Sequence, residues 1–103
     1  MSTKTLYEVA GPAQQALVET VLAERNAQDA QWGGAEHDAN HDMRDWHVYI
    51  AKQLHRAGVI ADADERFGAT DEQRAEYRQR LVKIAALALA AMEALDAPVG
   101  GLV

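Results

Sequence analysis

Tyr77 to Leu95 reads YRQRLVKIAALALAAMEAL, and this run decides the fold class. From Leu81 onward only Lys83 and Glu93 interrupt an apolar, alanine-rich segment. At helical spacing Tyr77, Leu81, Ile84, Ala85, Ala88, Ala91, Met92 and Leu95 share one arc, so the segment reads as an amphipathic helix. The many alanines let a neighbouring helix approach closely. The helix has a legible start in Thr70-Asp71-Glu72-Gln73, a capping box in which the threonine oxygen and the glutamine side chain satisfy reciprocal backbone donors. Asp96-Ala97-Pro98 ends it, because proline cannot continue a helix. Gly100-Gly101 marks a frayed tail.

Two further helices are expected upstream. Gly11-Pro12 opens the first, since the missing N–H of proline costs nothing in a first turn, and Gly33-Gly34 closes it. The second begins near Asp42 to Asp45, carries Trp46, Ile50, Gln53, Leu54 and Ala57 on one arc, and stops at Gly58. The spans are therefore 12–32, 43–57 and 71–96. Residues 58–70 read as an acidic loop (Asp62, Asp64, Glu65) with one large apolar side chain, Phe67. Residues 1–10 and 97–103 are peripheral, and Leu6, Tyr7 and Val9 form either an extended piece or a turn. The expectation is a compact all-α bundle of three main helices in a single domain, with no internal repeat.

Composition narrows the partners. A chain of 103 residues suits one domain, and a helical set this small often completes its core through a second subunit, so a homo-oligomer is expected. Sixteen acids against ten bases give a net charge of −6, which repels duplex nucleic acid. There is no cysteine, which excludes disulfides and thiolate metal sites. Neither a signal-peptide pattern nor an uninterrupted membrane-length apolar run is present, so a cytoplasmic protein without membrane contact is expected.

Polar residues interrupt the first helix where its apolar stripe should continue. Leu17, Val21, Gln28 and Trp32 share an arc edged by Glu24 and Arg25, placing an amide and two charges beside apolar side chains. Burying such groups unpaired costs roughly 1–3 kcal/mol each, so they require a network, a ligand or water. Two other constellations bear on chemistry. All four histidines (His37, His41, His47, His55) lie close together in sequence, and His37-Asp38 recurs as His41-Asp42. This composition suits either a divalent-metal site or a polar loop with a helix cap. His37 and Asp38 are the candidate ligands because they follow the Trp32-Gly33-Gly34 turn. Lys52 and Arg56 on the second helix, with Arg80 and Lys83 on the third, form two cationic pairs at helical spacing. They either line a basic groove for a phosphate or carboxylate, or lie as solvated side chains over the core edge. Nucleophilic catalysis has no support, since no serine or threonine sits beside a plausible base.

Taken together, Glu24-Arg25, Gln28, Trp32-Gly33, His37-Asp38, Trp46, Tyr77-Arg78 and the run Leu81 to Ala88 resemble small phage and prophage proteins of the MazG type, over roughly residues 15–96. The resemblance implies an all-α, usually oligomeric nucleoside triphosphate pyrophosphohydrolase, in which carboxylates on two helices hold magnesium and activate water. At the positions implied for those carboxylates this chain carries Lys52, Gln53 and Arg56, then Arg80 and Lys83. Four of the five are cationic and would repel the metal. The leading expectation is therefore a non-catalytic or atypical member that binds a nucleotide or other phosphate ligand through Lys52, Gln53, Arg56, Arg80 and Lys83, with Glu24, Gln28 and Trp32 beside them. One alternative is an active pyrophosphohydrolase using Mg²⁺ or Mn²⁺ at a site displaced to Glu24, His37 and Asp38, with His41 or Asp42 as a further ligand. Another is a helical protein-interaction module with no small-molecule ligand. No catalytic residue is assigned.

Overall fold

A computed structural model describes residues 3–33 and 41–97 of the chain. The described residues are helical apart from short connections: α1 (Leu6–Val9), α2 (Pro12–Trp32), α3 (Met43–Phe67) and α4 (Asp71–Asp96). Each start carries the expected local chemistry. Proline occupies the first turn of α2 after Gly11. Asp42 and Asp45 form a capping box on α3, and Thr70 and Gln73 form the one expected on α4. Gly33 ends α2 with φ 94°, the left-handed conformation that favours glycine. The N-terminal piece is a single helical turn capped by Thr5. It is tied to α2 by the Tyr7 hydroxyl donating to Glu19 at 2.8 Å and by Gln15 Nε2 donating to the Tyr7 carbonyl at 3.0 Å. The Glu19 hydrogen bond and negative charge raise the Tyr7 phenol above its ordinary pKa.

The second helix runs ten residues past the stop expected at Gly58, and the expected loop 58–70 shrinks to Gly68, Ala69 and Thr70. Glycine inside a helix costs only about 0.5–1 kcal/mol relative to alanine. Burying Ile60, which is 8% exposed, contributes on the order of 1.5–3 kcal/mol and outweighs that cost. The actual stop is Gly68 at φ 77°, whose N–H donates to the Asp64 carbonyl, while Asp64 Oδ1 accepts from the Ala69 N–H at 2.8 Å. Two substitutions separate these glycines. A Cβ on Gly58 meets nothing within 4 Å, so Gly58→Ala should raise stability by about 0.5–1 kcal/mol. Gly68→Ala forces a side chain into positive φ and should lower stability by roughly 1–2 kcal/mol. Urea midpoints of the two variants should move in opposite directions.

α4 is the shared element: α3 and α2 both pack on it. The buried core consists of Trp46, Ala57 and Ile60 from α3 with Val82, Ala86, Leu87 and Ala90 from α4. This corrects the arc expected for α4. Tyr77, Leu81, Met92 and Leu95 are exposed, and the helix turns Val82, Ala86, Leu87 and Ala90 inward. The helix is apolar on both arcs, so periodicity alone does not select the one that α2 and α3 cover. No helix among the described residues is long and apolar enough to cross a membrane.

Candidate functional site

The polar interruption of α2 is buried at Arg25 and Gln28, whereas Leu17 and Trp32 of the same expected arc are exposed. Arg25 and Gln28 are each 6% exposed, the two polar side chains held inside the described structure. Arg25 pairs with Asp29 one turn along its own helix, and its guanidinium reaches Glu93 of α4 at 3.3 Å. The charge thus bridges α2 to α4, with its carboxylates at the surface. Gln28 Oε1 and Trp46 Nε1 are buried without a hydrogen-bond partner among the described residues.

Beside this pair four rings meet where α2 ends and α3 begins. Trp32 stacks on Tyr49 with centroids 6.4 Å apart, and Trp46 meets Tyr49 edge-on at 6.2 Å. His41 packs edge-on against both Trp46 and Tyr49, each at 5.3 Å. Its Nδ1 lies 3.4 Å from Asp45 Oδ2, the same carboxylate that accepts from the backbone of Asp42 in the capping box. His41 and Asp42 therefore serve ring packing and helix initiation. His47 and His55 are exposed on α3, and His37 and Asp38 lie outside the described residues. Among the described residues no three histidine, aspartate or glutamate side chains are grouped to hold a metal.

The cationic residues divide into two classes. Arg80 and Lys83 are partly buried and engaged. Arg80 donates to Gln53 Oε1 of α3 at 3.1 Å and pairs with Glu76 at 3.2 Å, while Lys83 donates to Glu24 Oε1 of α2 at 3.0 Å. Glu24 is the more enclosed partner of the second pair, with its side chain 13% exposed against 34% for Lys83. Lys52 and Arg56 stand exposed on α3. Arg56 lines a shallow groove of about 490 Å³ with His55, Val59, Ile60, Gln73 and Glu76. The five positions singled out between the second and third long helices thus form no single cationic pocket. Two cations are neutralised inside polar links and two face solvent.

The chain has no match among family models, curated proteins or solved structures. Its site therefore rests on geometry.

A space of about 240 Å³ lies at the α3–α4 corner, lined by Ile60, Ala61, Asp64, Ala69, Arg74 and Tyr77. Its walls exist because α3 continues to Phe67, where the sequence pattern marks a loop. Arg74 is held beside it by Asp71 at 3.2 Å.

The polar links make a quantitative prediction. Glu24 and Lys83 are partly enclosed, so a double-mutant cycle with Glu24→Gln and Lys83→Met should return a coupling of about 0.5–1 kcal/mol. Urea denaturation at low and high salt measures it, and the coupling should shrink as salt rises.

Proposed function

We propose that this chain is a non-catalytic, MazG-like helical protein that acts as a homo-oligomeric interaction module. What supports this most is the engagement of Arg80 and Lys83. At positions where the resembled enzymes would keep magnesium-binding carboxylates, these cations hold Gln53, Glu76 and Glu24. A divalent ion placed there would meet positive charge and lose its acidic ligands to existing ion pairs. Glu24 is likewise committed to Lys83, which weakens a displaced metal centre built on it. The polar positions then serve to tie α2 and α3 to α4, and the exposed apolar surface becomes the working part of the molecule.

A second reading has one observation in its favour. Lys52 and Arg56 lie one turn apart on α3, both exposed and without a partner among the described residues, beside the Gln53–Arg80 link. In a chain of net charge −6 that local excess suits a phosphate-bearing ligand such as a nucleotide.

One experiment separates the readings. Purified protein is incubated with a panel of NTPs and dNTPs plus Mg²⁺ or Mn²⁺, and monophosphate and pyrophosphate are measured directly. No turnover is expected, and metal-dependent pyrophosphate release overturns the non-catalytic reading. In parallel, melting temperature is followed against nucleotide concentration, since a ligand at 100 times its Kd stabilises by about 2.7 kcal/mol. An unchanged melting temperature is the expected result. A rise abolished by Lys52→Ala with Arg56→Ala replaces the interaction module with the phosphate-binding reading.

A further inference from the structure

We propose that the outward face of α4 is a twofold, antiparallel docking surface for a second copy of this chain. This rests on the homo-oligomeric reading above and specifies where and how the copies meet.

The pattern on α4 identifies the surface. Val82, Ala86 and Ala90 face inward, yet the opposite side of the helix is equally apolar. Leu81, Met92 and Leu95 are 45%, 54% and 64% exposed, with the half-buried Ala85 and Ala88 between them. A helix apolar on both sides belongs inside a core, and one copy of this chain covers only one side. Ala85 and Ala88 at the middle of the stripe permit the close axial approach that larger residues prevent.

Charge at the two ends identifies the register. Arg78 near the start of α4 and Asp96 at its end share one edge of the stripe at helical spacing. Both are exposed, and neither has a partner among the described residues. A twofold axis near residue 87 sets two copies of α4 antiparallel and brings Arg78 opposite the partner's Asp96. The same operation sets Leu81 against the partner's Met92 and Ala85 against the partner's Ala88. A parallel pairing would instead oppose like charges at each end. Such self-complementarity is what an isologous interface requires.

Sedimentation velocity of the full chain across a concentration series provides the test. The wild type should sediment as a dimer or a multiple of one. Leu81→Glu and Met92→Glu, both at exposed positions, should raise the dissociation constant at least about tenfold, equivalent to ~1.4 kcal/mol, with helicity by circular dichroism retained. Leu54→Glu, exposed on α3, should leave association unchanged. Arg78→Asp and Asp96→Arg should each weaken association, and the double charge reversal should restore it. A monomeric wild type overturns both the homo-oligomeric reading and this surface. A wild-type oligomer indifferent to Leu81→Glu and Met92→Glu overturns the surface alone. Dimers broken at positions 81 and 92 without rescue by the double reversal overturn the antiparallel register.

Discussion

Trp46→Ala is expected to lower folding stability by about 3–5 kcal/mol, the range for truncating a large buried aromatic side chain. Trp46 is 5% exposed and forms the core cluster with Leu87 and Ala90, with Tyr49, Ile50, Ala91 and Ala94 packed around it. Removing the indole leaves a cavity between α3 and α4 and unseats His41 and Tyr49, which rest edge-on against it. Domains of this size are stable by only about 5–15 kcal/mol, so the variant should lose much of its cooperative transition. Trp46→Phe distinguishes packing from hydrogen bonding. The indole Nε1 is buried without a partner among the described residues, so phenylalanine removes an uncompensated donor while retaining most of the apolar contact. A loss of no more than about 1.5 kcal/mol is expected. Urea denaturation followed by circular dichroism measures both, and equal losses for the two variants would contradict this account.

The second large effect is expected at Arg25. Its guanidinium is enclosed, pairs with Asp29 on its own helix and joins α2 to α4 through Glu93. Breaking a fully buried ion pair costs about 3–5 kcal/mol because a charge is left stranded. Here the carboxylates are 38% and 53% exposed and recover water when the arginine is removed. Arg25→Ala should therefore cost less, about 2–3 kcal/mol, divided between lost ion pairs and lost packing of the aliphatic stem. Arg25→Met keeps the stem and should recover about half of that loss. Arg25→Lys keeps the charge but not the planar fork, and should fall between alanine and wild type. Thermal and urea unfolding rank the three. A methionine variant as unstable as alanine would place the whole effect in the ion pairs.

The sites differ in how much their sequence disclosed. Gln28 and Arg25 were visible as polar residues on an apolar arc, because helical spacing predicts which side chains share a face whatever lies opposite. The same spacing grouped Lys52 with Arg56 and Arg80 with Lys83. It could not show that Arg80 would meet Gln53 and Glu76, or that Lys83 would meet Glu24. The Glu24–Lys83 contact spans 59 positions, a separation that no local pattern encodes. The repeated His-Asp doublets carried composition without geometry, and the second resolves into a ring contact and a helix cap.

Local chemistry determined the all-α class, the starts of the three long helices and the ends of α2 and α4. Proline, capping side chains and left-handed glycine act through the backbone within a few residues. Tertiary structure decided what local chemistry left balanced. Gly58 carries too small a penalty to stop α3 once Ile60 packs on α4. α4 is apolar on both sides, so the face it buries depends on where α2 and α3 pack, and they cover Val82, Ala86, Leu87 and Ala90. Packing free energy is a property of paired surfaces, and a single strand of sequence specifies only one surface of each pair.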